Sequence, residues 1–274
     1  MPTRSSPTCR RRVSAAAPNT RRIFYGERGV SSGRAPVVHE VAHQWWGDAV
    51  TEKDWDDVFL SEGFATYFTH LYTEQFEGRD AFVRNLRADI QTIVEAQKAL
   101  PDQPIVHRNL ADMTKVLNRL VYQKAGWVLH MLRGTIGTDR FWAGIRDYYR
   151  RYRDRNASRD DFRLVMERAA GVPLSWFFEQ WLMRPGMPSL RGSWRYDAAA
   201  KQIQIEIAQT QAGAPYRLPI EIGVAAASGA PRIERVELTA ANGTFTIAAD
   251  KEPAAVTLDP NSWLLVQTAE FARR

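Results

Sequence analysis

Two histidines four positions apart, with a glutamate between them, are the residues whose types and spacing most clearly could perform chemistry: His39-Glu40-Val41-Ala42-His43 reads H-E-x-x-H. Four residues advance a helix by about 400°, so the two imidazoles lie within about 40° of each other on one face and can share a single metal ion. Glu40 lies beside them, placed to reach a water that the metal activates. Catalytic zinc generally takes three protein ligands and keeps a fourth position for water, so a third donor is required. Glu62, nineteen residues after His43 in Leu60-Ser61-Glu62-Gly63-Phe64-Ala65-Thr66-Tyr67, opens a second amphipathic segment. An excursion through Gly47 to Asp57 can turn the chain back so that this second helix packs on the first and aims Glu62 at the metal. The single cysteine, Cys9, excludes an internal disulfide and any cysteine-based zinc knuckle.

Helices must hold these groups. From about Pro36 to Met183 apolar residues recur at helical spacing: Phe82, Leu86, Ile90 and Val94 form one stripe, Val116, Leu120, Val121, Val128 and Leu132 another, and Phe141, Ile145 and Tyr148 a third. Asp and Ser ahead of Phe162 mark a helix start, and Gly137 and Gly171 mark stops. Pro185, Gly186 and Pro188 then punctuate the chain and the period changes to two. Ile203, Ile205 and Ile207 alternate with Gln202, Gln204 and Glu206, and Leu218, Ile220, Ile222 and Val224 repeat the pattern, with Pro219 predicting an edge strand. Asn242-Gly243, between Val236, Leu238 and Phe245, Ile247, predicts a tight hairpin. The last 86 residues therefore read as a small antiparallel β domain, a sandwich.

Composition narrows the function classes. No apolar run approaches the length of about 18 residues that argues for a membrane span. The formal charge of +6 comes from six arginines at positions 4, 10, 11, 12, 21 and 22, ahead of the first acid, Glu27; the other 31 basic residues balance all 31 acidic ones. The charge thus gives no evidence for a nucleic-acid partner. Residues 1–22 read as a disordered, transit-type or out-of-frame leader, and no export signal is visible, which is compatible with a cytoplasmic home. The run Tyr148-Tyr149-Arg150-Arg151-Tyr152-Arg153 could stack on nucleic acid, but reads first as one helix with a buried aromatic face and a solvated basic face. His70, His107 and His130 match no ligand spacing, and Trp45 and Trp46 read as packing residues next to the site.

From Ile23 to Tyr67 the chain, with H-E-V-A-H-Q-W-W-G-D and F-L-S-E-G-F-A-T-Y, resembles the zinc aminopeptidases of the M1 family, gluzincins with a thermolysin-like catalytic domain. Tyr122-Gln123-Lys124-Ala125-Gly126 is similar to the family's Y-x-K-G-A, and Trp181 to Pro188 to its W-L-x-x-x-G-x-P, so the resemblance covers about residues 23–190. It implies a multidomain α and β protein: a leader (1–22), a truncated, mainly α-helical thermolysin-like part (23–187) and a β-sandwich (188–274). One zinc ion would be held by His39, His43 and Glu62, with Glu40 as general base and Tyr122 as the donor that stabilises the tetrahedral oxyanion, acting on a peptide substrate. Two departures matter. Where the family's G-x-M-E-N loop holds the substrate's free amine with a glutamate, this chain reads Ala16-Ala17-Pro18-Asn19, with Pro18 in the glutamate's place. The large N-terminal β domain that precedes the family's catalytic half has no counterpart here. A smaller departure is Ala125-Gly126 in place of Gly-Ala. The expected activity is removal of N-terminal residues; the alternatives are a metalloendopeptidase with relaxed end preference and an inactive zinc-binding interaction module.

Overall fold

The computed structural model describes residues 34–107 and 116–274; the leader, Cys9 and the Ala16–Asn19 stretch lie outside the described residues. Helices come first: α1 (Arg34–His43), α2 (Phe59–Glu77), α3 (Arg79–Ala99), a π-helical turn (Leu120–Lys124) that runs directly into α4 (Ala125–Ile136), then α5 (Thr138–Tyr152), α6 (Arg159–Ala170) and α7 (Ser175–Leu182). Beside them β1 (Val50–Glu52) and β2 (Arg155–Ala157) form a short parallel pair.

The apolar stripes are the faces that fold inward. Phe82, Leu86 and Val94 on α3 and Phe141, Ile145 and Tyr148 on α5 are all buried. Helix ends follow local chemistry: Gly137 and Gly171 close α4 and α6 at φ of 89° and 72°, a region glycine enters without strain. Ser158 starts α6 through a reciprocal capping box with Asp161. The aromatic–arginine run is one amphipathic helix, as expected. Tyr148 is buried against Trp46, while Arg150 and Arg151 reach across solvent to Asp147.

After Ser189 the chain is all strand: β3 (Ser189–Asp197), β4 (Gln202–Gln209), β5 (Leu218–Ala225), β6 (Arg232–Leu238), β7 (Asn242–Ala248), β8 (Ala255–Leu258) and β9 (Thr268–Arg273). They make a four-stranded sheet in the order β7-β4-β3-β9 and a three-stranded sheet in the order β6-β5-β8. Ile203, Ile205 and Ile207 of β4 and Leu218, Ile220 and Ile222 of β5 are buried in a core continuous with that of the helices. Each such side chain contributes about 1.5–3 kcal/mol when fully removed from water.

Three strand expectations need correction. The sheets are antiparallel except where β9 joins β3 in parallel. The segment before β9 crosses the helices and re-enters beside the start of β3, where the Gln267 amide donates to the Pro188 carbonyl, so both strands leave from the same end. Pro219 does not mark an edge strand: β5 is central, but β8 pairs only with Ile222–Ala225, so Pro219 has a neighbour on one side alone and its missing N–H costs no ladder bond. Asn242-Gly243 is not a hairpin turn. Both residues already belong to β7 and pair with Ala208 and Ile207, while β6 lies in the other sheet, so the connection passes between sheets.

One buried lysine ties these parts together. The Lys124 side chain is wholly buried, and its Nζ donates to Gln97 Oε1 (3.0 Å) on α3 and to the Gly186 carbonyl (2.9 Å) at the corner leading to the strands. Burial, with a smaller contribution from Arg184, lowers its pKa from 10.5 to about 7. Between those values the unfolded chain binds a proton that the folded chain does not, so stability falls as pH drops through that window and levels off below it. Denaturant unfolding at pH 7, 8 and 9 is expected to show the wild-type protein gaining stability with pH, and Lys124→Met to remove that gain.

Candidate metal centre and active site

Short elements bring the three candidate ligands together. α1 carries His39 and His43 one turn apart, and the chain then doubles back through β1 and a 3₁₀ turn at Trp55–Asp57. The turn is pinned from behind: the buried Asp57 carboxylate accepts from the Arg159 amide (3.0 Å) and its guanidinium (2.7 Å). α2 begins two residues later, with Glu62 in its first turn, where the helix dipole favours a negative charge.

His39 Nε2 lies 3.1 Å from Glu62 Oε2 and 3.1 Å from His43 Nε2, and His43 Nε2 lies 3.2 Å from Glu62 Oε2. Among the described residues these three are the group of His, Cys, Asp or Glu side chains that could hold a metal ion. A tetrahedral ion with bonds of about 2.0 Å has ligand–ligand edges of about 3.3 Å. The triangle fits one ion with one face left open. Each side chain is 15–19% exposed, so the open face meets solvent.

The electrostatics agree with a cation-binding trio. Burial alone would raise Glu62, but hydrogen bonds from His39, His43 and Tyr122 outweigh it and hold its carboxyl at about 2. The Glu62 hydrogen bond, opposed by burial, pushes His43 up to about 8. Two imidazole nitrogens and a carboxylate oxygen facing one point require a positive charge among them, and a metal ion would take the place of the proton on His43.

Tyr122 stands over the same site. Its hydroxyl donates to Glu62 Oε1 at 2.9 Å and its ring stacks on His39 with centroids 5.9 Å apart. Gly63 makes this approach possible: a Cβ there would sit 2.6 Å from the Ala125 Cβ, so only glycine beside Glu62 lets the π turn come this close to α2. Burial, then the Glu62 hydrogen bond, raises the Tyr122 phenol to about 12, which keeps it a donor at neutral pH. Glu40 is exposed on the solvent side of α1 and is not part of the triangle.

The remaining sequence candidates fall elsewhere. His70 pairs with Asp89 (2.7 Å), His107 with Gln103, and His130 is buried between Tyr67 and the Ser262 carbonyl. Trp46 is buried packing, tilted against Phe64 and stacked on Tyr148. Trp45 differs from its expected packing role: it is 47% exposed, in line with Val37 and Val41 on the outer face of α1. There it lines a groove of about 530 Å³ with Phe68, Leu71 and Trp142. Gly63 and the backbone carbonyl of Trp46, which accepts from His43 Nδ1 at 2.9 Å, were not anticipated. A carbonyl has no side-chain signature, but a glycine immediately after a candidate ligand in a helix is a legible hint of close packing.

The Peptidase family M1 domain matches residues 29–181, more than half the chain. Glutamyl aminopeptidase of Bos taurus is 31% identical over 162 residues, covering 57% of this chain and 17% of that protein. Aminopeptidase M1-C of Oryza sativa subsp. japonica is 28% identical over 199 residues, covering 68% of this chain and 22% of that protein. In fold, the chain is similar to the crystal structure of Legionella pneumophila aminopeptidase A in complex with aspartic acid, with a TM-score of 0.69 and 19% identity over 85% of this chain and 26% of that one. The chain thus spans 17% to 26% of the length of these proteins. An H-E-x-x-H helix and a Glu62 helix closing on one point, within residues 29–181 that match this domain, identify the chain as a member of peptidase family M1.

Proposed function

We propose that the chain is a zinc peptidase of the aminopeptidase type, which hydrolyses peptide bonds with His39, His43 and Glu62 as metal ligands and Glu40 and Tyr122 as catalytic groups. The observation that carries this reading is the triangle of His39 Nε2, His43 Nε2 and Glu62 Oε2 with edges of 3.1–3.2 Å. Zinc bound there supplies a Lewis acid that polarises a carbonyl and lowers the pKa of water towards about 7.

The chain's own groups do the rest. Glu40, exposed beside the ligands, takes the proton of the attacking water on its carboxylate and returns it to the nitrogen of the leaving amine. Tyr122 turns its hydroxyl from Glu62 Oε1 to the oxygen of the scissile carbonyl as negative charge grows there. Glu62, an ionised carboxylate beside two neutral imidazoles, would supply the negative charge of the ligand set.

Removal of N-terminal residues is the favoured activity, with weak dependence on a free amine because Pro18 stands where the family places an anchoring glutamate. Losing a buried ammonium–carboxylate contact costs about 2–5 kcal/mol, or thirtyfold and more. Release from an aminoacyl anilide is therefore expected to be chelator-sensitive, and to drop by less than about tenfold on N-acetylation of the substrate. Absent release would favour the inactive zinc-binding module, chelator-insensitive release would overturn the metal's role in hydrolysis, and a thirtyfold or greater drop would show that the amine is anchored by another group.

A further inference from the structure

We propose that Ser61 is a positioning residue: with the Trp46 carbonyl, it fixes His43 in the tautomer whose Nε2 lone pair is free to bind a metal. This rests on the metal-centre reading above.

A carbonyl oxygen can only accept, so the contact of 2.9 Å between His43 Nδ1 and the Trp46 carbonyl places the hydrogen of neutral His43 on Nδ1. Ser61 Oγ lies 3.2 Å from the same Nδ1 and 3.3 Å from the same carbonyl. Its hydroxyl donates to the carbonyl and turns a lone pair to the Nδ1–H, closing a ring of three groups. Ser61 is 7% exposed, so little water competes for these bonds.

The backbone is shaped to this ring. The turn after His43 is locked by the Gly47 amide on the Val50 carbonyl (2.9 Å), by the Asp48 amide on the His43 carbonyl (3.0 Å) and by Thr51 Oγ1 on the Gly47 carbonyl (2.7 Å). Gly47 has φ +121°, and a Cβ there would stand 2.5 Å from Ser61 Oγ and 3.2 Å from His43 Nδ1. Glycine therefore leaves the space that the hydroxyl and the imidazole share. Ser61 also immediately precedes Glu62, so one hydroxyl links the helix carrying His43 to the helix carrying the carboxylate ligand. Hydrogen bonds among the described residues reach His39 only at Nε2, so the serine acts on one ligand and not on both.

Partners that orient a ligating histidine typically change metal affinity by about 10–100-fold when removed. The test is Ser61→Ala in the full chain, read by zinc affinity in competition with a chromophoric chelator and by the ¹⁵N shifts of the histidines in metal-free protein at pH 9. The expected result is zinc binding weakened by about tenfold or more, His43 shifting from Nδ1–H towards a tautomer mixture, and an unchanged helical circular dichroism spectrum. Gly47→Ala keeps the hydroxyl but displaces it, and is expected to give the same two changes. Affinity within about twofold of wild type in Ser61→Ala, together with an unmoved His43 tautomer, overturns the proposal. If the wild-type chain binds no zinc, the metal-centre reading fails, while the tautomer measurement still decides whether Ser61 positions His43.

Discussion

Glu40→Ala is expected to retain bound zinc and lose peptide hydrolysis, whereas His43→Ala is expected to lose both. The two residues are three apart on one helix, so this contrast separates roles and not locations. His43 supplies one corner of the ligand triangle and is oriented from behind through Nδ1; without it two donors remain, too few for a closed site. Glu40 lies outside the triangle on the exposed side of α1, so its removal changes no ligand atom. On the proposed reading it removes the acceptor for the proton of the attacking water, which typically contributes about 10²–10⁴-fold to the rate. The measurement is metal content by elemental analysis beside turnover of a chelator-sensitive substrate. Equal metal loss in both variants would make Glu40 part of the binding site, and an active Glu40→Ala would place the general base elsewhere.

The candidate metal centre was legible because its information is local: i, i+4 spacing sets two imidazoles on one face whatever surrounds them, and the spacing to Glu62 is long enough for one reversal of the chain. The helical stripes were legible for the same reason. What failed depends on partners distant in sequence. Asn242-Gly243 has hairpin chemistry, yet the strands on either side belong to different sheets, a matter of which neighbours are free to pair. Pro219 sits in a central strand because β8 stops short of it. The parallel run of β9 follows from a detour across the helices that no strand pattern encodes. Around the site the same division holds. Tyr122 carries a motif, but the Trp46 carbonyl and the Ser61 hydroxyl matter only through where the turn at Gly47 puts them.

That detour leads to the largest expected effect on stability. Between β8 and β9 the chain leaves the sheets and lays Asp259–Leu265 across α3 and α4. Asp259 and Ser262 adopt φ of 48° and 56°, costly for residues with a Cβ. The strain is offset by the Asp259 carboxylate, which accepts from the Trp263 and Leu264 amides at 2.8 and 2.9 Å. Trp263 then stacks on His130 with centroids 4.6 Å apart, covers Gly134 closely enough that a Cβ there would approach within 2.8 Å, and lies under the guanidinium groups of Arg79 and Arg133. His130 accepts this place because burial lowers its pKa to about 3, so it stays neutral and donates to the Ser262 carbonyl. Its other nitrogen meets Tyr67 on α2, the helix that carries Glu62. Truncating a core tryptophan costs about 3–5 kcal/mol, and the partial exposure of Trp263 sets the lower end as the expectation. For a chain of this size that corresponds to a fall in Tm of roughly 6–12 °C. Trp263→Ala is therefore expected to lower the melting of the helices, followed at 222 nm, by that amount, although the substitution lies beyond residue 188 in the strand-forming part. Helices melting at the wild-type temperature would show that the two parts are held together by other contacts.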